Sequence, residues 1–332
     1  MDRRSRILTV LVIIGSVSLL LFAQSAPRGN SAQPVSATAN ATTKPAANAI
    51  ASLFPVQGPS WIKHLGLSVS KTHMGQMGGE TPVPPQSSSV EQLKPIMQEF
   101  LSKVRSDPQQ AANILNKEFS VSGADLYRWN CQGCHGVDGK GFAPEINSII
   151  GPVQGTSENM TRARLVARGL DVDDDMVKQV SDLARQALRD RLHHGGTNMP
   201  AFSHLRPDEI EALTSYLEKL ASVPEAKGDG LLVHETAARA GEHILRGTCH
   251  VCHDGTGPGA GAAALIQGNI PSLASLSQEH SLSGVVHQVQ YGSCGSVKTM
   301  GADTMPAYPY FSEEEITAAF FASSSQLGRS AR

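Results

Sequence analysis

Apolar side chains recur at helical spacing in three separate stretches of this chain, each bounded by residue types that start and stop helices. Ile210, Leu213, Leu217 and Leu220 share one face of a segment opening with Pro207, Asp208 and Glu209, a proline in the first turn and two acids against the positive dipole end. Met176, Val180, Leu183, Ala184, Leu188 and Leu192 keep the same period from an acidic start at Asp173, Asp174 and Asp175. Arg189, Arg191, His193 and His194 make its basic end, and Gly195 closes it. Ser312 with Glu315 three residues on reads as a capping box, and Ile316, Ala319 and Phe320 continue the face behind it. A further helical pair is expected around residues 90–104 and 108–119. Upstream the pattern changes. Ile7 to Ala23 is an uncharged run behind Arg3, Arg4 and Arg6, and residues 24–50 are rich in Ala, Ser, Thr, Asn and Pro with little apolar period.

Around these helices one pentapeptide pattern occurs twice, as Cys131-Gln132-Gly133-Cys134-His135 and Cys249-His250-Val251-Cys252-His253. Two cysteines one helical turn apart can add their thiols to the vinyl groups on one porphyrin edge, and the next histidine then swings under the iron as proximal ligand. The doubled motif therefore predicts two covalently bound haem c groups on Cys131, Cys134, Cys249 and Cys252, with His135 and His253 as iron ligands. Zinc would need the two cysteine pairs to share one metal, whereas each pair here carries its own histidine. A sixth iron ligand is offered downstream of each motif, where Met199-Pro200-Ala201-Phe202 and Met305-Pro306-Ala307-Tyr308 present a soft thioether on a loop stiffened by proline. Met300 is a rival to Met305 that lacks the following proline.

The repeat extends beyond these anchors. Gly123 and Gly241 each lie eight residues before the first cysteine of their motif, and Tyr127 and Leu245 each lie four before. Pro152 and Pro271 follow the haem histidines at seventeen and eighteen residues. Ile210 and Ile316 each follow their methionine by eleven. Matched positions in a constant order mark two copies of one domain. In each copy the closing helix can pack on the glycine-bearing helix, because glycine permits a close crossing.

In this order of parts, residues 120 to 325 resemble the class I cytochrome c family in a tandem di-haem arrangement. The resemblance implies an all-α fold, with two small haem domains at 120–223 and 231–326 joined by a linker at 224–230, and electron transfer rather than catalysis as the activity. It also implies that Pro152 and Pro271 supply the carbonyls orienting the proximal histidines. The linker, with Pro224, Gly228 and Gly230, leaves the packing of the two domains open.

Composition narrows the partners. A formal net charge of −2 gives no basic field for nucleic acid and no strong acidic field for one basic partner, so redox proteins of unnamed type remain as donor and acceptor. Residues 1–25 are expected to be a signal peptide or a membrane anchor, residues 26–60 a flexible tether, and residues 61–119 a partly helical extension. Export to the periplasmic side of the inner membrane follows from c-type attachment as the resemblance implies it. His64, His73, Met74 and Met77 cluster in the extension and are expected to pack against the first haem domain or a membrane partner. Cys294 is left without an intrachain partner once four cysteines hold haem, and the aspartate run lacks the glycine and distal glutamate of a calcium loop. The alternative function is a di-haem peroxidase or the haem subunit of a larger oxidoreductase. A peroxidase needs acid and base groups over an open iron, and His193, His194 and His204 are the candidates near Met199.

Overall fold

In the computed structural model the described residues are 87–141, 146–196, 199–227, 230–253, 272–292 and 305–330. The expected export segment and tether, the His64 to Met77 cluster, Pro271, Cys294 and Met300 lie outside them.

Helices α1 (Ser88–Lys103) and α2 (Pro108–Leu115) come first, started by the side chains of Ser87 and Asp107, which accept from the backbone N–H groups of Val90 and Gln110. The first haem domain follows as α3 (Gly123–Asn130), the motif turn α4 (Gln132–His135), α5 (Ile150–Gln154), α6 (Glu158–Ala167), α7 (Asp174–His194) and the closing helix α8 (Pro207–Leu220). The second is built from α9 (Ala237–Ile244), a π-helical turn at Leu245–Cys249, the motif turn α10 (His250–His253), α11 (Leu273–Glu279), α12 (Leu282–Tyr291) and the closing helix α13 (Glu313–Ser330).

Two elements of the described residues are not helical. Strand β1 (Glu118–Ser122) pairs antiparallel with β2 (Leu232–Thr236), with Phe119 opposite Glu235 and Val121 opposite Val233. The second extension helix thus stops at Leu115 instead of reaching Phe119, because Phe119 and Val121 alternate inward as strand residues do. Each strand runs straight into the helix that leads to a haem motif. Pairing them sets the two domains side by side and removes the freedom that the linker composition suggested.

Within each domain the leading and closing helices cross at a glycine. A Cβ on Gly123 would lie 2.1 Å from the Ala212 carbonyl oxygen, and one on Gly241 2.3 Å from that of Ala318. Contact this close brings the helix backbones together and buries Leu126 and Leu213 in the first domain and Ile244 and Ile316 in the second. The hydrophobic core continues across both domains and takes in Leu93, Met97 and Phe100 of α1, whose Phe100 ring meets Phe321 of α13 edge to face at 4.6 Å. Helix α7 turns Val177, Ser181 and Leu192 inward and leaves Leu183 exposed, so its packing face is rotated from the one the apolar period suggested. Its acids serve the helix start: Asp173 accepts from Met176 N–H, and Asp174 pairs with Arg162.

Replacing Gly241 by alanine should cost at least about 1–3 kcal/mol of stability, since the two helices must move apart to admit a methyl group. Denaturant unfolding checks this, and an unchanged midpoint would mean that the helices do not cross at that residue.

Candidate haem site

The first motif is placed by the capping of α3. Ser122 Oγ accepts from Asp125 N–H, and Asp125 Oδ2 accepts from Ser122 N–H at 3.1 Å, which fixes the direction of the helix that ends at Cys131. The chain then makes one more turn, with His135 N–H donating to the Cys131 carbonyl at 2.9 Å, so that both cysteines and the histidine share one side of the turn. The Tyr127 hydroxyl donates to the Gly136 carbonyl at 2.6 Å and holds the loop leaving the motif, where Gly136 takes a φ of +74°.

His135 Nδ1 lies 3.1 Å from the Asn147 carbonyl oxygen. A neutral ring donates there and leaves Nε2 for a metal, and burial, which lowers the pKa of His135 against that bond, favours the neutral form. The expectation for Pro152 is therefore corrected. Its residue is part of helix α5, and the carbonyl that orients the histidine comes from the loop five residues earlier.

Burial pushes the Cys131 and Cys134 thiols up to about 12, with Cys252 adding to the shift of Cys134, and pushes Cys252 up to about 11. Thiols kept protonated at neutral pH are the reverse of the electropositive, low-pKa pair of a dithiol catalyst. Cys131 and Cys134 are not joined to each other.

The two methionine loops are held by the same pair of devices. Phe202 N–H donates to Leu192 O at 2.8 Å, and Tyr308 N–H donates to Val289 O at 2.7 Å, in each case from the third residue after the methionine to the third before a helix-ending glycine. Those glycines, Gly195 and Gly292, have φ of +71° and +75°. A Cβ on them would meet the Met199 carbonyl oxygen at 2.5 Å and the Met305 carbonyl oxygen at 2.9 Å. Gly292 was not singled out in the sequence, because the stretch between glycine and methionine is longer in the second copy and hides the register.

The two motifs come together. Cys134, Cys252, Gly133, Thr248 and Tyr308 line one small cavity. Thr248 Oγ1 donates to the Trp129 carbonyl at 2.9 Å, and a Cβ on Gly247 would lie 2.5 Å from Asn130 Cα. Tyr310 OH sits 3.2 Å from where a Cβ of Gly133 would be, is buried, and has no hydrogen-bond partner among the described residues. Paired thiols one turn apart, a histidine with Nδ1 engaged, and an orphaned hydroxyl beside the motif fit a covalently attached haem. Cys131, Cys134 and His135 would hold one, and Cys249, Cys252 and His253 the other.

Each closing helix reaches across to the opposite domain. Glu315, in the capping box of α13 with Ser312, also accepts from Trp129 Nε1 at 2.7 Å and from Arg128 Nη1 at 2.6 Å. Glu209, three residues after Arg206 at the start of α8, accepts from Arg239 Nη2 at 3.0 Å and lies 3.2 Å from His243 Nε2. Glu209, Glu235 and His243 bring donor atoms within 4.8 Å of one another, but Arg206 and Arg239 already occupy the carboxylates and oppose a metal cation there. His204 Nε2 faces Asn130 Oδ1 at 3.2 Å, and His193 and His194 are exposed at the end of α7.

Two helical domains, each ending its first helix in a haem-attachment turn, define a tandem haem protein. Residues 120–221 match the family model described as cytochrome c, and residues 236–320 match the one described as cytochrome c oxidase, cbb3-type, subunit III. The chain is a class I c-type cytochrome with two domains in tandem, and covalent haem c and haem-based electron transfer follow from that. No curated protein and no solved structure matches the chain.

Replacing Glu315 by alanine leaves the buried Trp129 Nε1 without its acceptor and Arg128 with Asp125 as its remaining carboxylate, so stability should fall by about 1–3 kcal/mol. Equilibrium unfolding measures it, and a loss as small as that of an exposed ion pair, below about 1 kcal/mol, would remove the bridge from the account.

Proposed function

We propose that the chain is a di-haem electron carrier in which His135 with Met199 and His253 with Met305 are the paired iron ligands. When bound, each haem supplies an iron that takes up and returns one electron. The observation that carries the reading is the identical suspension of the two methionine loops, each fixed by one backbone hydrogen bond and one glycine in a left-handed conformation. Loops held this way keep the thioether in place through changes of iron charge, and a thioether ligand raises the potential relative to a second histidine.

Because Cys134 and Cys252 line the same cavity, the two haem sites adjoin, and an electron received at one domain can leave from the other. The partners are redox proteins, a donor and an acceptor. Residues 1–25 direct export and hold the chain at the outer face of the inner membrane, with residues 26–60 as tether. No helix among the described residues is long and apolar enough to cross a membrane. A second reading, a haem subunit of a larger oxidoreductase, is favoured by the match of residues 236–320 to a cbb3-type oxidase subunit III model. The chemistry of the chain is the same in both, and only its partners differ.

Replacing Met199 or Met305 by alanine should leave both haems covalently attached but remove the weak sulfur-to-iron absorption of one oxidised site in each variant. Spectra of the oxidised proteins check this, and retention of the full absorption in either variant would refute that ligand.

A further inference from the structure

The segment that joins each methionine to its closing helix folds in one way in both domains and is held from two sides. On the near side, the third residue after the methionine donates its N–H within the domain, Phe202 to Leu192 O and Tyr308 to Val289 O. The sixth residue then turns back onto the third, with Leu205 N–H donating to the Phe202 carbonyl at 3.0 Å and Phe311 N–H to the Tyr308 carbonyl at 3.1 Å. On the far side, the carbonyl of the fifth residue is met by a side chain of the opposite domain. Arg239 of α9 donates through Nη2 to the His204 carbonyl, and Arg128 of α3 donates through Nη1 to the Tyr310 carbonyl at 3.3 Å.

The same two guanidinium groups bind the carboxylate at the tenth residue after each methionine, Arg239 with Glu209 at 3.0 Å and Arg128 with Glu315 at 2.6 Å. Each is also steadied by an acid of its own domain three residues away, Glu242 at 2.8 Å for Arg239 and Asp125 at 2.9 Å for Arg128. With the Arg128 side chain 8% exposed and that of Arg239 16%, neither is a surface contact that water would replace at little cost.

Duplication of one domain accounts for the matching acceptors but not for the donors. His204 and Tyr310, and Glu209 and Glu315, stand at equal distances from their methionines, whereas Arg128 follows the crossing Gly123 by five residues and Arg239 precedes the crossing Gly241 by two. Two arginines at unrelated positions therefore satisfy the same pair of acceptors, each across the junction.

We propose that Arg239 and Arg128 are positioning residues for the iron ligands of the opposite domains, Arg239 for Met199 and Arg128 for Met305, so that neither domain completes its own haem site alone.

The proposal rests on the assignment of Met199 and Met305 as ligands and names what keeps them in place. A neutral thioether competes with other bases for iron because its loop holds it at a high local concentration. Removing the arginine leaves the anchor at the third residue and releases the stretch between that anchor and the closing helix. Loss of a hydrogen bond from a charged donor corresponds to a change of about tenfold in the balance between held and released loop.

The experiment is displacement of methionine by imidazole in the oxidised di-haem protein, followed as loss of the sulfur-to-iron absorption. Met199→Ala leaves only the absorption of the Met305 site and Met305→Ala only that of the Met199 site, so each background reads one iron. Arg128→Ala should let imidazole displace Met305 at about tenfold lower concentration and leave Met199, in the arginine's own domain, as it was. Arg239→Ala should do the reverse. Arg128→Lys and Arg239→Lys keep the charge but lose the fork, and should fall between the parent and the alanine variants. A loosened junction would move both irons alike in every variant. That result, an effect confined to the arginine's own domain, or no change would overturn the proposal. If an alanine variant does not fold, its lysine counterpart is judged by the same crossed pattern. Methionine backgrounds that keep the full absorption would defeat the ligand assignment itself, whereas a sound assignment without the crossed effect would defeat only the role of the arginines.

Discussion

Glu209 and Glu315 stand three residues after the caps of the two closing helices, and each carboxylate turns back to its own cap while gripping the opposite domain. A carboxylate buried this deeply is costly unless every lone pair is engaged, and here the engagement is divided between two domains. Separating the domains would take Glu315 away from Arg128 and the Trp129 indole, and Glu209 away from Arg239 and His243. The arrangement therefore penalises loose packing more than it rewards close packing, which is how one relative placement of two similar domains is selected.

That placement determines what the haem sites can do. With β1 paired to β2 and Gly247 seated on Asn130, the two motif turns face one another across a cavity lined by Cys134 and Cys252. The first extension helix completes the unit by laying Phe100 against Phe321, so the segment ahead of the first haem domain is part of the second domain's wall. The carboxyl and imidazole groups at the junction are a consequence of the same closure. Charges that lock the domains together lie, through Asn130 and Trp129, next to the residues that attach the first haem.

Most of each domain was legible in the sequence because its signals are local. The cysteine and histidine spacing, Pro207, the Ser312 box and the close-crossing Gly123 and Gly241 all state their purpose within a turn or two of the chain. What joins the domains was not legible. The strands EFSVS and LVHET are short, and neither announces a partner more than a hundred residues away. Glu209 and Glu315 read as ordinary first-turn acids, and their second partners become visible only when the domains are placed together. The Asn147 carbonyl is a backbone group with no side-chain signature, so family resemblance pointed to Pro152 in its stead. The rotation of the α7 face has a similar cause, since Ser181 is buried and Leu183 is not, against the preference of their side chains.

The central claim is that two haems are held by one locked pair of domains with their attachment turns in contact. It is tested most directly by electron paramagnetic resonance of the fully oxidised protein from a haem-maturing host. The expected result is two low-spin ferric signals broadened by mutual dipolar coupling, with the broadening gone when Cys249 and Cys252 are both replaced by alanine and one haem remains. Two sharp signals that do not change when the second haem is removed would contradict it.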